Sequence, residues 1–390
     1  MVILSQRALE GIKAYKYKPG GYTKLDDLHT PFWNWLTNKL PMWLAPNLIT
    51  LTGLFALIIG YVVMWIYSPN YTDDAPNWVY SLGAVAVVFY TNMDCIDGKQ
   101  ARRTGSSSPL GQLFDHGCDA IALHLMLGMA QTSVQQPMGF ISSLALTLAM
   151  LPWICSQYEE YHTGHMIYGN GYFGVLEANY ILAFVFALSG IFGPSFWSRI
   201  VFSAVPLPIL GTMDITARHV FVVIDIVAAV NQTYGQLFRV FSSSVDRLPK
   251  EEQGYKELGL ASKIRHLMWI AILLGFGGYW TARDQSKMSN PVEARFISLA
   301  FGIIFAMVAT KLIMDHMCKE PFRPTLWAFI ILILSTVNVI TGTVNVFLAS
   351  QAAAAFCLVF YLTNITGIIN DICRFLKINC LTIKPQKKTQ

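Results

Sequence analysis

The chain has 390 residues, of which 54% are hydrophobic and only 13% charged, where a soluble globular domain carries roughly 25% charged residues. A mean hydropathy of +0.45 with 13% aromatic residues excludes a disordered chain, and this much apolar surface cannot be hidden in water, which leaves an integral membrane protein. The net charge of +5 is small and scattered, excluding a nucleic-acid binder, and seven cysteines without a CxxC pair or Cys/His zinc spacing give neither a disulfide framework nor a zinc site.

Residues 1–46 are polar and basic and lack the apolar core and small-residue cleavage site of a signal peptide. Within them Phe32, Trp33, Trp35, Leu36, Leu40, Trp43 and Leu44 recur at roughly helical spacing. This pattern predicts an amphipathic helix lying in the interface with tryptophan anchors, an ordinary packing helix being the alternative. A bilayer span needs about 20 mostly apolar residues in a helix, because backbone groups in hydrocarbon must be bonded internally. Ten stretches qualify, at 47–67, 78–93, 116–134, 140–157, 175–196, 217–237, 266–281, 296–314, 325–348 and 352–372. The predicted fold class is all-α: a polytopic integral membrane protein with about ten transmembrane helices and an N-terminal interfacial amphipathic helix. The expected organisation is a cytoplasmic N-terminal segment (1–46), catalytic helices (47–240), a cytoplasmic loop (241–265), supporting helices (266–375) and a basic tail (376–390). With the N-terminus cytoplasmic, 23 of the 28 Lys and Arg residues fall in inside segments, so both termini are placed in the cytoplasm. The inside loop 158–174 carries no Lys or Arg and departs from that rule.

The chemistry concentrates between the second and third spans, in Asp94-Cys-Ile-Asp97-Gly98-Lys99-Gln-Ala101-Arg102-Arg103 and, after a turn rich in Gly and Ser with Pro109, Asp115-His116-Gly-Cys-Asp119. At about 100° per residue, Asp94 and Asp97 share one helix face and Asp115 and Asp119 share another. The turn lets the two helices lie antiparallel, so the acidic pairs can face each other. Four carboxylates this close repel unless hard cations lie between them, and an all-oxygen set suits Mg²⁺, with Mn²⁺ as a substitute. The predicted object is a two-metal site. Lys99, Arg102 and Arg103 lie in the same turn to receive further phosphate charge, and Gly98, Ala101 and Gly111 are small enough for a ligand or a helix to approach the backbone.

The run Asp-x-x-Asp-Gly-x-x-Ala-Arg, eight residues, Gly, three, Asp, three, Asp resembles the signature of the CDP-alcohol phosphotransferase family, with every specified position met. The segments Ala45-Pro-Asn47-Leu-Ile-Thr, Ser108-Pro-Leu-Gly and Phe114-Asp-His-Gly look like its eukaryotic cholinephosphotransferase and ethanolaminephosphotransferase branch. The resemblance covers residues 32–120 strongly and the rest mainly through the number of spans. It implies transfer of phosphocholine or phosphoethanolamine from CDP-choline or CDP-ethanolamine to diacylglycerol with release of CMP, in the endoplasmic reticulum or Golgi membrane. By the same carry-over Asp94, Asp97, Asp115 and Asp119 hold two Mg²⁺ ions, and Asn47 and Arg102 contact the CDP donor.

The acceptor hydroxyl needs a base within hydrogen-bond reach. Asp119 is one candidate, but a carboxylate bound to cations is a weak base. His116 lies beside the metals without being a ligand and has a suitable pKa, so it is preferred. Glu177, at the start of the fifth span, is expected to orient His116, with Glu159, Glu160 and His162 as rivals. His124 reads as a packed residue and Asp225 as a partner of Arg218 or of a helix polar group. Dimerisation through the later spans is a further expectation. A secondary transporter would show internal repeats and midplane charges, whereas these acids gather at one interface. A family member using CDP-diacylglycerol would share the signature, but is usually shorter with fewer spans.

Overall fold

The structure, a computed structural model, describes residues 3–167, 169–207, 211–243 and 258–383. Twelve helices are formed among them. Two precede the long apolar helices: α1 (Gln6–Ala14) and α2 (Lys24–Lys39). Ten follow: α3 (Pro46–Tyr67), α4 (Asn77–Thr104), α5 (Pro109–Ser133), α6 (Phe140–Thr163), α7 (Val175–Phe192), α8 (Ala217–Ser242), α9 (Leu260–Thr281), α10 (Glu293–Met317), α11 (Leu326–Thr341) and α12 (Val346–Leu376). They match the ten expected stretches one for one. Eight are long and apolar enough by themselves to cross a membrane; α5 is diluted by the polar and acidic residues of its first turns, and α11 has only 16 residues. The protein is an all-α, multi-pass membrane protein, so the count of ten is approximate.

Where boundaries move, local chemistry explains it. The second span does not stop at residue 93: α4 runs on through the acids to Thr104 and ends at Gly105, whose φ of 64° is the left-handed conformation that glycine adopts without strain. Ser108 then accepts from the Gly111 N–H and Pro109 occupies the first turn of α5, a combination that starts helices. The fifth span ends at Phe192 instead of 196, because Gly193 (φ 77°) and Pro194 stop it. The ninth ends at Thr341 instead of 348, at Gly342 with φ 64°. The expected interfacial helix is α2, begun by a capping box of Thr23 and Asp26 and finished before Pro41. It exposes Phe32 and Trp35, as does Trp43 beyond its end, while Trp33 is buried and donates to Asn92 Oδ1 of α4 at 2.9 Å.

Four very short or peripheral strands add to the helices. β1 (Pro19–Gly20) pairs in parallel with β2 (Met166–Ile167), and β3 (Ile200–Leu207) with β4 (Gly211–Thr216) forms a hairpin between α7 and α8. One apolar core lies among α3, α4, α5 and α7. A second surrounds α10, which packs against α5, α6, α9, α11 and α12 and has almost every side chain buried. The later helices therefore reach the centre of the bundle. The chain ends meet: the Ile3 and Leu4 N–H groups donate to Asp371 Oδ2 of α12 at 2.6 and 3.1 Å. Residues 244–257 of the expected cytoplasmic loop and 384–390 of the basic tail lie outside the described residues.

Candidate active site

The acids stand where α3, α4 and α5 converge. Gly53 of α3 permits the close crossing of α4, since a Cβ there would lie 3.0 Å from Met93 Cβ and 3.3 Å from the Tyr90 ring. Because α4 remains helical through 94–97 and α5 begins at Pro109, the two acidic pairs are presented from two successive helices. Carboxylate oxygens of Asp94, Asp97 and Asp115 lie within 4.8 Å of one another. One oxygen each of Asp94 and Asp115 is buried without a hydrogen-bond partner. Three converging carboxylates, two of them with an orphaned oxygen and none in a salt bridge among the described residues, are a donor set that suits a hard divalent cation.

Asp119 lies beside Asp94 of that trio and accepts a hydrogen bond from the Tyr90 hydroxyl. Asp97, 6% exposed, accepts one from the Thr50 hydroxyl. Tyr90 and Thr50 went unread in the sequence because neither is charged. Their signal was position alone: Tyr90 is one turn before Asp94, and Thr50 one turn after Asn47.

His116 is 1% exposed; its Nε2 meets the Gln112 amide and its Nδ1 is buried without a partner. The expected pairing of His116 with Glu177 is not formed. Glu177 Oε2 instead accepts the Gly174 N–H at 2.8 Å, capping its own helix, as an acid in a first turn commonly does. Of the rivals, Glu159 is held by Arg239 and His162 faces His266 at 3.1 Å. Glu160 accepts from the Tyr15 hydroxyl at 2.8 Å, lies 3.4 Å from His316, and acts electrostatically on His116.

Asn47 and Gly111 come together, since a Cβ at Gly111 would be 3.6 Å from Asn47 Oδ1. The Asn47 amide donates to the Cys380 carbonyl at 3.0 Å. Lys99 and Arg102 line an open groove of about 380 Å³ between α2 and α4, with Asn34, Thr37, Asn38 and Arg103. Arg102 also lies beside Gly98, and Ala101 is half-buried one residue before it. Lys99 donates to Asn34 at 3.1 Å. Arg103 is not free to meet phosphate: it donates to the Thr37 and Leu40 carbonyls at 3.0 and 2.7 Å, closing the C-terminus of α2.

Two other expectations meet different fates. His124 is buried with its ring packed on Gly302 of α10, so it is a packed residue. Arg218 does not pair with Asp225; it donates to the Gln135 carbonyl and the Ser198 hydroxyl.

Residues 43–205 match the family model described as CDP-alcohol phosphatidyltransferase. A Dictyostelium discoideum protein named CDP-alcohol phosphatidyltransferase class-I family protein 3 is 31% identical, covering 98% of each chain. Cholinephosphotransferase 1 of Xenopus laevis is 30% identical over 84% of this chain and 77% of its own, and the Homo sapiens protein of the same name is 30% identical over 81% and 74%. The matched span contains Asp94, Asp97, Asp115 and Asp119.

Proposed function

Since this chain belongs to the CDP-alcohol phosphatidyltransferase family, we propose that it transfers phosphocholine or phosphoethanolamine from the CDP-linked amino alcohol to diacylglycerol, releasing CMP. The reading places it in the endoplasmic reticulum or Golgi membrane with its site and both termini in the cytoplasm. The observation that carries it is the convergence of Asp94 and Asp97 of α4 with Asp115 of α5.

Asp94, Asp97 and Asp115, with Asp119 adjoining, are the residues that would hold two divalent cations, Mg²⁺ or Mn²⁺. When bound, such ions neutralise a diphosphate and stabilise a departing phosphate. Thr50 and Tyr90 orient two of the four carboxylates. Asn47, Gly98, Lys99, Ala101, Arg102 and Gly111 are assigned to the donor, with Arg102 and Lys99 supplying positive charge. His116 is assigned as the base. The Gln112 amide nitrogen faces Nε2; once that amide has turned its oxygen to Nε2–H, the lone pair of Nδ1, which has no partner among the described residues, takes the acceptor's hydroxyl proton. The hydroxyl oxygen then attacks the phosphorus bearing the amino alcohol, and the bond to the CMP phosphate breaks. Asp119 suits the role of base less well because Tyr90 already donates to it.

Purified protein in diacylglycerol micelles, given CDP-choline and CDP-ethanolamine separately with and without Mg²⁺, tests the reading. Metal-dependent CMP release with at least one donor is expected. No CMP from either donor overturns it.

A further inference from the structure

The segment before α2 carries none of the residues assigned above, yet it is fastened to the bundle at both ends. Ile3 and Leu4 are tied to Asp371, and α1 buries Ala8, Leu9 and Ile12 in a core shared with the start of α5 and the end of α10. β1 is paired with β2 beyond the end of α6. Between these fastenings the chain is extended, with Tyr15 at ψ 138°. Residues two apart in an extended chain project to one side. Tyr15 and Tyr17 accordingly turn inward while Lys16 is exposed.

The two tyrosines differ in what they find. The Tyr15 hydroxyl bonds Glu160. The Tyr17 ring meets the His116 ring edge-on, 5.7 Å between centroids, and its hydroxyl is buried with no partner. Gln157 of α6, 2% exposed, lies within hydrogen-bonding reach of the same histidine, although neither atom of its amide makes a bond of good geometry with any described residue. His116 Nδ1 is the third orphan. Buried polar groups are ordinarily paired, because desolvating them without a partner is costly. Three such groups around one ring mark a place where a ligand completes the bonds.

Their chemistry limits that ligand. A phenol and a carboxamide are neutral and both donate, so they suit neutral acceptor oxygens better than phosphate, which belongs with the acidic cluster and its cations. A glycerolipid with one free hydroxyl carries ester carbonyls a few bonds from that hydroxyl. We infer that Tyr17 and Gln157 form the acceptor-lipid subsite, hydrogen-bonding the ester carbonyls so that the free hydroxyl faces His116. This rests on the transferase reading above.

The test compares diacylglycerol with dialkylglycerol, in which methylenes replace the ester carbonyls, as acceptors for the full-length protein in micelles. Wild type should favour the diacyl acceptor in kcat/KM. Tyr17→Phe keeps the ring against His116 and removes only the hydroxyl. It should lower kcat/KM for diacylglycerol roughly 5- to 10-fold, as expected for one neutral hydrogen bond. The dialkyl acceptor and the KM of the CDP donor should be unchanged, so the preference shrinks toward unity. Gln157→Leu should shrink it independently, and calorimetric donor binding reports that each variant is folded. Equal losses with both acceptors, or an undiminished preference, overturn the subsite and leave the transferase reading standing. Wild-type protein that releases no CMP with either acceptor overturns the transferase reading itself.

Discussion

Thr50 and Tyr90 show what a search for charged residues passes over. Each hydroxyl donates to a carboxylate of the cluster, and such outer partners tune metal affinity by about 10- to 100-fold. Thr50→Val should weaken Mg²⁺ by that order, read as a rightward shift in the Mg²⁺ dependence of CMP release while saturating activity stays within a few-fold. His116→Ala should lower kcat by roughly 10²–10⁴, the usual contribution of a general base, with calorimetric donor binding within about twofold. Substantial retained turnover would move the base to Asp119. The acids and His116 were legible as a motif, since their spacing alone puts them on helix faces. Their hydroxyl partners were not, because nothing in a Thr or Tyr three to five residues from a motif says which way it points.

At the scale of elements, the turn between α4 and α5 was readable from Gly105, Ser108 and Pro109, each acting through its own backbone preferences. Arg103 was not: next to Arg102 it looks like a second phosphate ligand, and only the docking of α2 on α4 turns it to the Thr37 and Leu40 carbonyls. Arg103→Met should therefore cost about 1–3 kcal/mol of stability, as for a charged hydrogen bond removed, seen as a lower thermal midpoint with the donor KM unaltered. A raised donor KM at unchanged stability would return Arg103 to the donor site. Glu177 teaches the same lesson in reverse: an acid at the edge of a span suggested a catalytic partner, but three residues after Gly174 it is placed to cap its own helix.

For the whole molecule, three acids crowd in one place, two of them with an orphaned oxygen, so an ion that binds only the folded protein should stabilise it by mass action. Mg²⁺ at about 100 times its Kd should add roughly 2.7 kcal/mol. The thermal midpoint should rise with Mg²⁺, and Asp97→Asn should abolish the rise. A rise of the same size in that variant would place the ion elsewhere. The later helices belong to this scale as well. Their apolar runs announced spans, yet not that α10 would sit at the centre against α5 and α6, because a helix apolar on all sides does not disclose its neighbours.

The number of apolar helices, the one-sided distribution of basic residues and the acidic motif with its implied chemistry follow from periodicity and composition, which are properties of neighbours along the chain. The fastening of Ile3 to Asp371, the approach of Tyr17 and Gln157 to His116, and the bond of Glu160 to Tyr15 involve residues up to 368 positions apart. Those pairings exist only once helices pack, since side chains brought together by tertiary contact leave no spacing in the sequence to read.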